Sequence, residues 1–68
     1  MEASAEVVNA LERGRAAFAS RSWAEAFGQL SAADNQSSLE PADLMLLAAA
    51  AYLIGREAES TDLWARAH

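Results

Sequence analysis

Apolar residues recur at helical spacing along nearly the whole chain, and no stretch alternates with the period of two that a half-buried strand requires. Val7, Leu11, Gly14 and Phe18 define a first helix, from about Ala3 to Ser20. Trp23, Ala26, Phe27, Leu30 and Ala33 share one face of a second helix, which ends near Asp34. Ser22, with Glu25 three residues on, has the form of a capping box, in which each side chain satisfies the other's free backbone N–H; this makes Ser22 the N-cap. Asn35-Gln36-Ser37-Ser38 is polar and aperiodic, and reads as a loop. Pro41 suits the first turn of a third helix, and Asp43 favours the positive end of its dipole. That helix runs to about Ile54, and Gly55 closes it as a residue that tolerates the left-handed conformation. A fourth, from about Arg56 to Ala67, puts Ser60, Leu63, Trp64 and Ala67 on one side. The link within the first pair is only two or three residues and the second pair turns at Gly55, so each pair folds back as an antiparallel hairpin. The expected fold is all-α: four helices in two hairpins, 3–34 and 41–67, forming one module over residues 1–68.

Two successive hairpins call for a repeat test. A shift of 34 residues pairs Phe18 with Tyr52, Ala17 with Ala51, Leu30 with Trp64 and Ala33 with Ala67. It also pairs small residues with small ones, Gly14 with Ala48 and Ala26 with Ser60. Literal identities are few, and most of them are alanine on alanine in a chain where alanine is 18 of 68 residues. The match therefore rests on size and polarity at helix-contact positions and on the helix boundaries.

A helix-turn-helix unit of 34 residues resembles the tetratricopeptide repeat. The first copy carries the small residues Gly14 and Ala17, then Trp23, Ala26, Leu30 and Ala33 in the order aromatic, small, large, small. The second carries Ala48, Ala51, Gly55, Trp64 and Ala67. The chain departs from the repeat at Ala10 and Leu44, where it usually opens on Trp, at Arg21 in place of the turn Gly, and at Glu57 in place of an aromatic. A narrower likeness lies in Gly14-Arg15-Ala16-Ala17-Phe18, Trp23-Ala24-Glu25-Ala26, Leu30-Ser31-Ala32-Ala33-Asp34, Leu39-Glu40-Pro41-Ala42-Asp43-Leu44, Ala51-Tyr52-Leu53-Ile54-Gly55-Arg56 and Leu63-Trp64-Ala65-Arg66-Ala67-His68. These strings resemble the N-terminal repeat region of LuxR-type transcriptional regulators of high-GC bacteria. The resemblance implies a right-handed stack of hairpins, a role in interaction or regulation, and a DNA-binding helix-turn-helix beyond the residues present here. On that expectation the 68 residues are the first two repeats of a longer chain. The competing expectation is a free-standing two-repeat protein–protein adaptor.

Composition excludes most self-contained enzyme chemistry. There is no Cys and no Lys, and the single His is His68, so a thiolate metal site, a Schiff base, a P-loop and a Ser-His-Asp triad all lack a member. Glu57 and Glu59 stand two apart on a helix and diverge. No cofactor and no metal site is expected. A net charge of −5 has the wrong sign for coating nucleic acid or an anionic membrane. The second helix, as the reader of a DNA-binding hairpin, would offer no cation at all. The N-terminus has no basic start or apolar h-region, and the longest apolar run, Leu44 to Ile54, falls short of the roughly 20 residues of a membrane span. The run reads as a helix buried on most sides, and the expected compartment is the cytoplasm.

Candidate contact residues follow from the repeat frame, in which the first helix of each hairpin lines the concave face. These are Leu11, Arg15, Phe18, Met45, Ala49 and Tyr52, apolar positions with one cation, suited to a protein or peptide partner. The first expectation for Phe18, Met45 and Tyr52 is packing between the hairpins, and contact with a peptide is the second. Leu11, Arg15 and Met45 stand where a clamp for a peptide carboxylate would need Lys and Asn, so that form of binding is not expected. Trp23 reads as hairpin core. Trp64, on a last helix with no repeat after it, reads as an exposed anchor for a partner, for further repeats or for a second copy in a homo-oligomer. Arg13, Arg15 and Arg21 are interleaved with Glu12 and Glu25 and read as a solvated surface, and Asp62–Arg66 as a supportive i, i+4 pair. Two hairpins fall below the roughly three repeats usually needed for stability, so low thermal stability or assembly is expected.

Overall fold

The computed structural model describes residues 5–67, which form four helices: α1 (Ala5–Ala19), α2 (Trp23–Gln36), α3 (Pro41–Leu53) and α4 (Glu57–Ala67). No strand occurs among the described residues. The pairs α1–α2 and α3–α4 pack as hairpins, and α3 also lies against α2 and α1. The described part of the first helix begins at Ala5; its expected start at Ala3 lies outside the described residues.

The two hairpin turns are the same structure at a 34-residue offset. The N–H groups of Ser20, Arg21 and Ser22 donate to the carbonyls of Ala16, Phe18 and Ala17; those of Ile54, Gly55 and Arg56 donate to Ala50, Tyr52 and Ala51. Each set is a Schellman closure, in which the last carbonyls of the first helix find donors just past its end. The closure needs one residue in the left-handed region. Gly55 supplies it at φ 86°, and Arg21, a non-glycine, supplies it at φ 64°. The residue after it then opens the next helix: Ser22 O accepts from Ala26 N, and Arg56 O from Ser60 N.

This arrangement corrects the capping box. Ser22 is the N-cap of α2, but its side chain makes no cap hydrogen bond. Its N–H, which Glu25 would have to accept, already donates to Ala17 O at 2.8 Å. Helix α2 also runs two residues beyond its expected end, because Ser37 N donates to Ala33 O and closes one more turn. The loop shifts to residues 37–40. Within it Leu39 is buried, and its N–H donates to Asp34 Oδ1 at 3.3 Å.

Small residues set the helix spacing. Ala26, Leu30, Ala33, Ala48, Ala50 and Ala51 have no measurable exposure. In the first hairpin Leu30 lies directly over Gly14: a Cβ there would sit 2.6 Å from Leu30 Cγ. In the second, Ser60 replaces the buried Ala26 of the first, and its hydroxyl donates to Ala48 O at 2.8 Å, which satisfies the buried oxygen.

Candidate functional site

Among the described residues, two ion pairs tie the hairpins together, and neither follows from local spacing. Arg15 on α1 donates from Nε and Nη2 to the two carboxylate oxygens of Asp43 on α3, at 3.0 and 2.8 Å. The hydrogen bonds from Arg15, more than the attraction of charges, hold its proton more tightly than usual. Arg66 on α4 spans to Asp34 on α2 in the same two-pronged way, at 2.8 and 2.9 Å. The expected partner of Arg66 was Asp62, one turn away on its own helix. The long-range pair wins because Asp34 is partly enclosed and offers both oxygens in the fork geometry that guanidinium matches. Arg66 also pulls the Asp34 carboxyl below its ordinary range, and the Leu39 N–H adds to the effect against the opposing cost of burial.

Asp43 was expected to serve the dipole of α3. It is buried, and it satisfies its charge with Arg15, so its main work is to join α1 to α3. Beside this pair, Val7, Leu11, Arg15 and the 37–40 loop enclose a cleft of about 240 Å³. Arg15 keeps its outer Nη1 hydrogens free of Asp43, and its side chain is half-exposed. A second cleft, of about 270 Å³, lies between α2 and α4 over Leu47, rimmed by Asp34, Asp62, Glu59 and Arg66. At its edge Arg56 stacks over the Phe27 ring at 5.1 Å and bonds Glu59 at 2.7 Å.

The six candidate residues do not converge on one pocket. Leu11 and Arg15 line the first cleft. Phe18 is half-buried beside Ala17, Ala26 and Ala50, and meets Trp23 edge to face, with ring centres 5.0 Å apart. Met45 and Tyr52, 43% and 61% exposed, do not pack between the hairpins. They lie on α3 with the half-buried Ala49, at i, i+4 and i+7, as one outward stripe. Trp64 is 37% exposed on α4, whereas its counterpart Leu30 is fully covered. Trp23, expected in the core, is only half-buried. Sequence reasoning missed Asp34, Asp43 and Leu39, whose roles depend on residues far along the chain. The one visible signal was position: Asp34 and Asp43 flank the inter-hairpin loop, and Leu39 is the apolar residue within it.

The described residues hold no group of three His, Cys, Asp or Glu side chains suited to a metal ion. His68 lies outside them. No helix among them is long and apolar enough to cross a membrane. In comparison with known proteins, no family model, no curated protein and no solved structure matches the chain.

Proposed function

We propose that this chain is a non-catalytic interaction module of tetratricopeptide type, working as the N-terminal repeat region of a cytoplasmic LuxR-type transcriptional regulator. The observation that carries the reading is the recurrence of one Schellman turn at a 34-residue offset, down to which N–H meets which carbonyl. Equivalent small residues at equivalent helix contacts support it: Gly14 with Ala48, Ala17 with Ala51, Ala26 with Ser60. The LuxR part rests on the sequence strings alone.

In this reading the partner is a protein or peptide that lies across α1 and α3. It would meet Leu11 and the outer face of Arg15 in the cleft that α1 forms with the 37–40 loop and the start of α3. A ligand bridging both hairpins favours one relative placement of them, and that preference is the quantity a distant DNA-binding domain can respond to. Reading the coding frame beyond codon 68 tests the assignment. The expected result is more helical repeat followed by a basic helix-turn-helix. A frame that continues into a different output domain refutes the regulator, and a stop directly after His68 replaces it with the free-standing adaptor.

A further inference from the structure

The second hairpin exposes the same surface that the first hairpin covers. Leu11 and Phe18 pack against the core, and Leu30 is fully enclosed. Their counterparts one repeat later are Met45, Tyr52 and Trp64, and these are three of the five large hydrophobic side chains that stand exposed among the described residues. In the first hairpin the covering element is α3. It presents one stripe at i, i+4 and i+7: Asp43 to Arg15, Leu47 to the cluster containing Leu30 and Ala33, and Ala50 to Ala17 and Ala26. All three of these residues are buried.

The opposite end of the molecule is built differently. The counterparts of Asp43, Leu47 and Ala50 on α1 are Asn9, Arg13 and Ala16, and all three are exposed. An Arg stands where docking would need Leu. Burying its guanidinium against an apolar face without an acid to meet it is costly. That cost weighs against a second copy covering the open face with its own α1, so one end is closed to this mode of docking and the other open.

From this asymmetry we infer that the open face of the second hairpin, centred on Met45, Tyr52 and Trp64, receives a further helical hairpin whose leading helix repeats the stripe of α3. The occupant carries a large aliphatic residue at the place of Leu47 and a small one at the place of Ala50. At the place of Asp43 it carries an uncharged residue, because Ala49 stands where the first hairpin has Arg15. The inference rests on the repeat reading, but it is independent of any link to DNA.

The test extends the full chain after His68 with a second copy of residues 35–68, carrying Asp43→Ala in the added copy only. A control chain is extended instead with a copy of residues 1–34, whose leading helix has Arg13. The first extension should raise the melting midpoint by about 10 °C or more, as expected when a stack gains an interface. With Trp23 and the added copy's Trp64 both changed to Phe, the emission of the original Trp64 should move to the blue. The control should do neither. Equal gains from both extensions, or none from the first, overturn the inference. Should the extended chain fail to fold, Arg13→Leu in the unextended chain gives the same information. It opens the closed end, so sedimentation should show concentration-dependent head-to-tail assembly that Tyr52→Glu abolishes. An Arg13→Leu chain that stays monomeric overturns the inference. So does an unaltered chain that already dimerises through Trp64. A missing helix-turn-helix downstream would refute the proposed function and leave these outcomes untouched.

Discussion

Three glycines in this chain make Gly→Ala a sensitive test of how the helices pack. At Gly14 an added Cβ would lie 2.6 Å from Leu30 Cγ and 2.8 Å from Cδ2, closer than real Cβ contacts come. Leu30 is fully buried, so it has no free space to swing into. Overpacking of this kind costs about 1–3 kcal/mol, against a helix-propensity gain of about 1 kcal/mol for Ala over Gly. At Gly28, in the exposed middle of α2, a Cβ meets nothing within 4 Å, so the propensity gain stands alone. Gly28→Ala should therefore raise the melting midpoint by about 4–8 °C for a domain this small. Gly14→Ala should fall below it by the overpacking cost of about 1–3 kcal/mol. Thermal melts followed by circular dichroism at 222 nm read both. The decisive arm is a double-mutant cycle with Leu30→Ala, which alone should cost about 2–5 kcal/mol. In that background the obstacle is gone, and Gly14→Ala should become stabilising. If Gly14→Ala has the same effect with and without Leu30, or matches Gly28→Ala, the close contact between α1 and α2 is not what holds this hairpin.

Other expectations follow from the turns and the ion pairs. Arg21→Gly should stabilise by roughly 1 kcal/mol, because it removes a side chain from the left-handed region at φ 64°, and Gly55→Ala should destabilise by a similar amount. Chemical denaturation of the two variants checks the equivalence of the turns, and opposite shifts are required. Arg15→Ala leaves the buried Asp43 carboxylate without its fork; the loss should be about 1–3 kcal/mol, discounted because Arg15 itself is half-exposed and water can reach the site. A cycle with Asp43→Ala that shows no coupling would remove this pair from the hairpin junction. Asp34 has a folded-state pKa below its unfolded one, chiefly through the hydrogen bonds from Arg66. Its contribution is therefore complete above about pH 4 and is lost as pH falls through the depressed folded value. Asp34→Asn should flatten the acid limb of a melting-point-versus-pH curve and leave its shape above pH 5 unchanged.

How much was legible beforehand depended on the range of the interaction. The helices, the hairpin pairing, Gly55 and the small residues at Gly14, Ala17, Ala26 and Ala48 all stand where periodicity and turn chemistry put them. Those features depend on neighbours within about one helical turn. The capping box failed although its residues are the right ones, because the Ser22 N–H has a second suitor in Ala17 O, and only the closed turn decides between them. Arg66 likewise had a local partner in Asp62 and took a distant one in Asp34. In Leu44 to Ile54 the apolar residues run all round the helix, so no periodicity says which side faces out. Met45 and Tyr52 proved to be the outward ones.

The amino-acid order by itself determined the four helices, their two-by-two pairing and the 34-residue offset, since each is dictated by backbone and side-chain preferences acting over a few residues. The tertiary structure alone decided which apolar residues are covered, which acid meets which arginine, and that Met45, Tyr52 and Trp64 stay exposed on the second hairpin while their counterparts on the first pack against the core. These outcomes depend on where α3 settles against the first hairpin, and that contact joins residues about thirty positions apart, whose mutual distance no local pattern records.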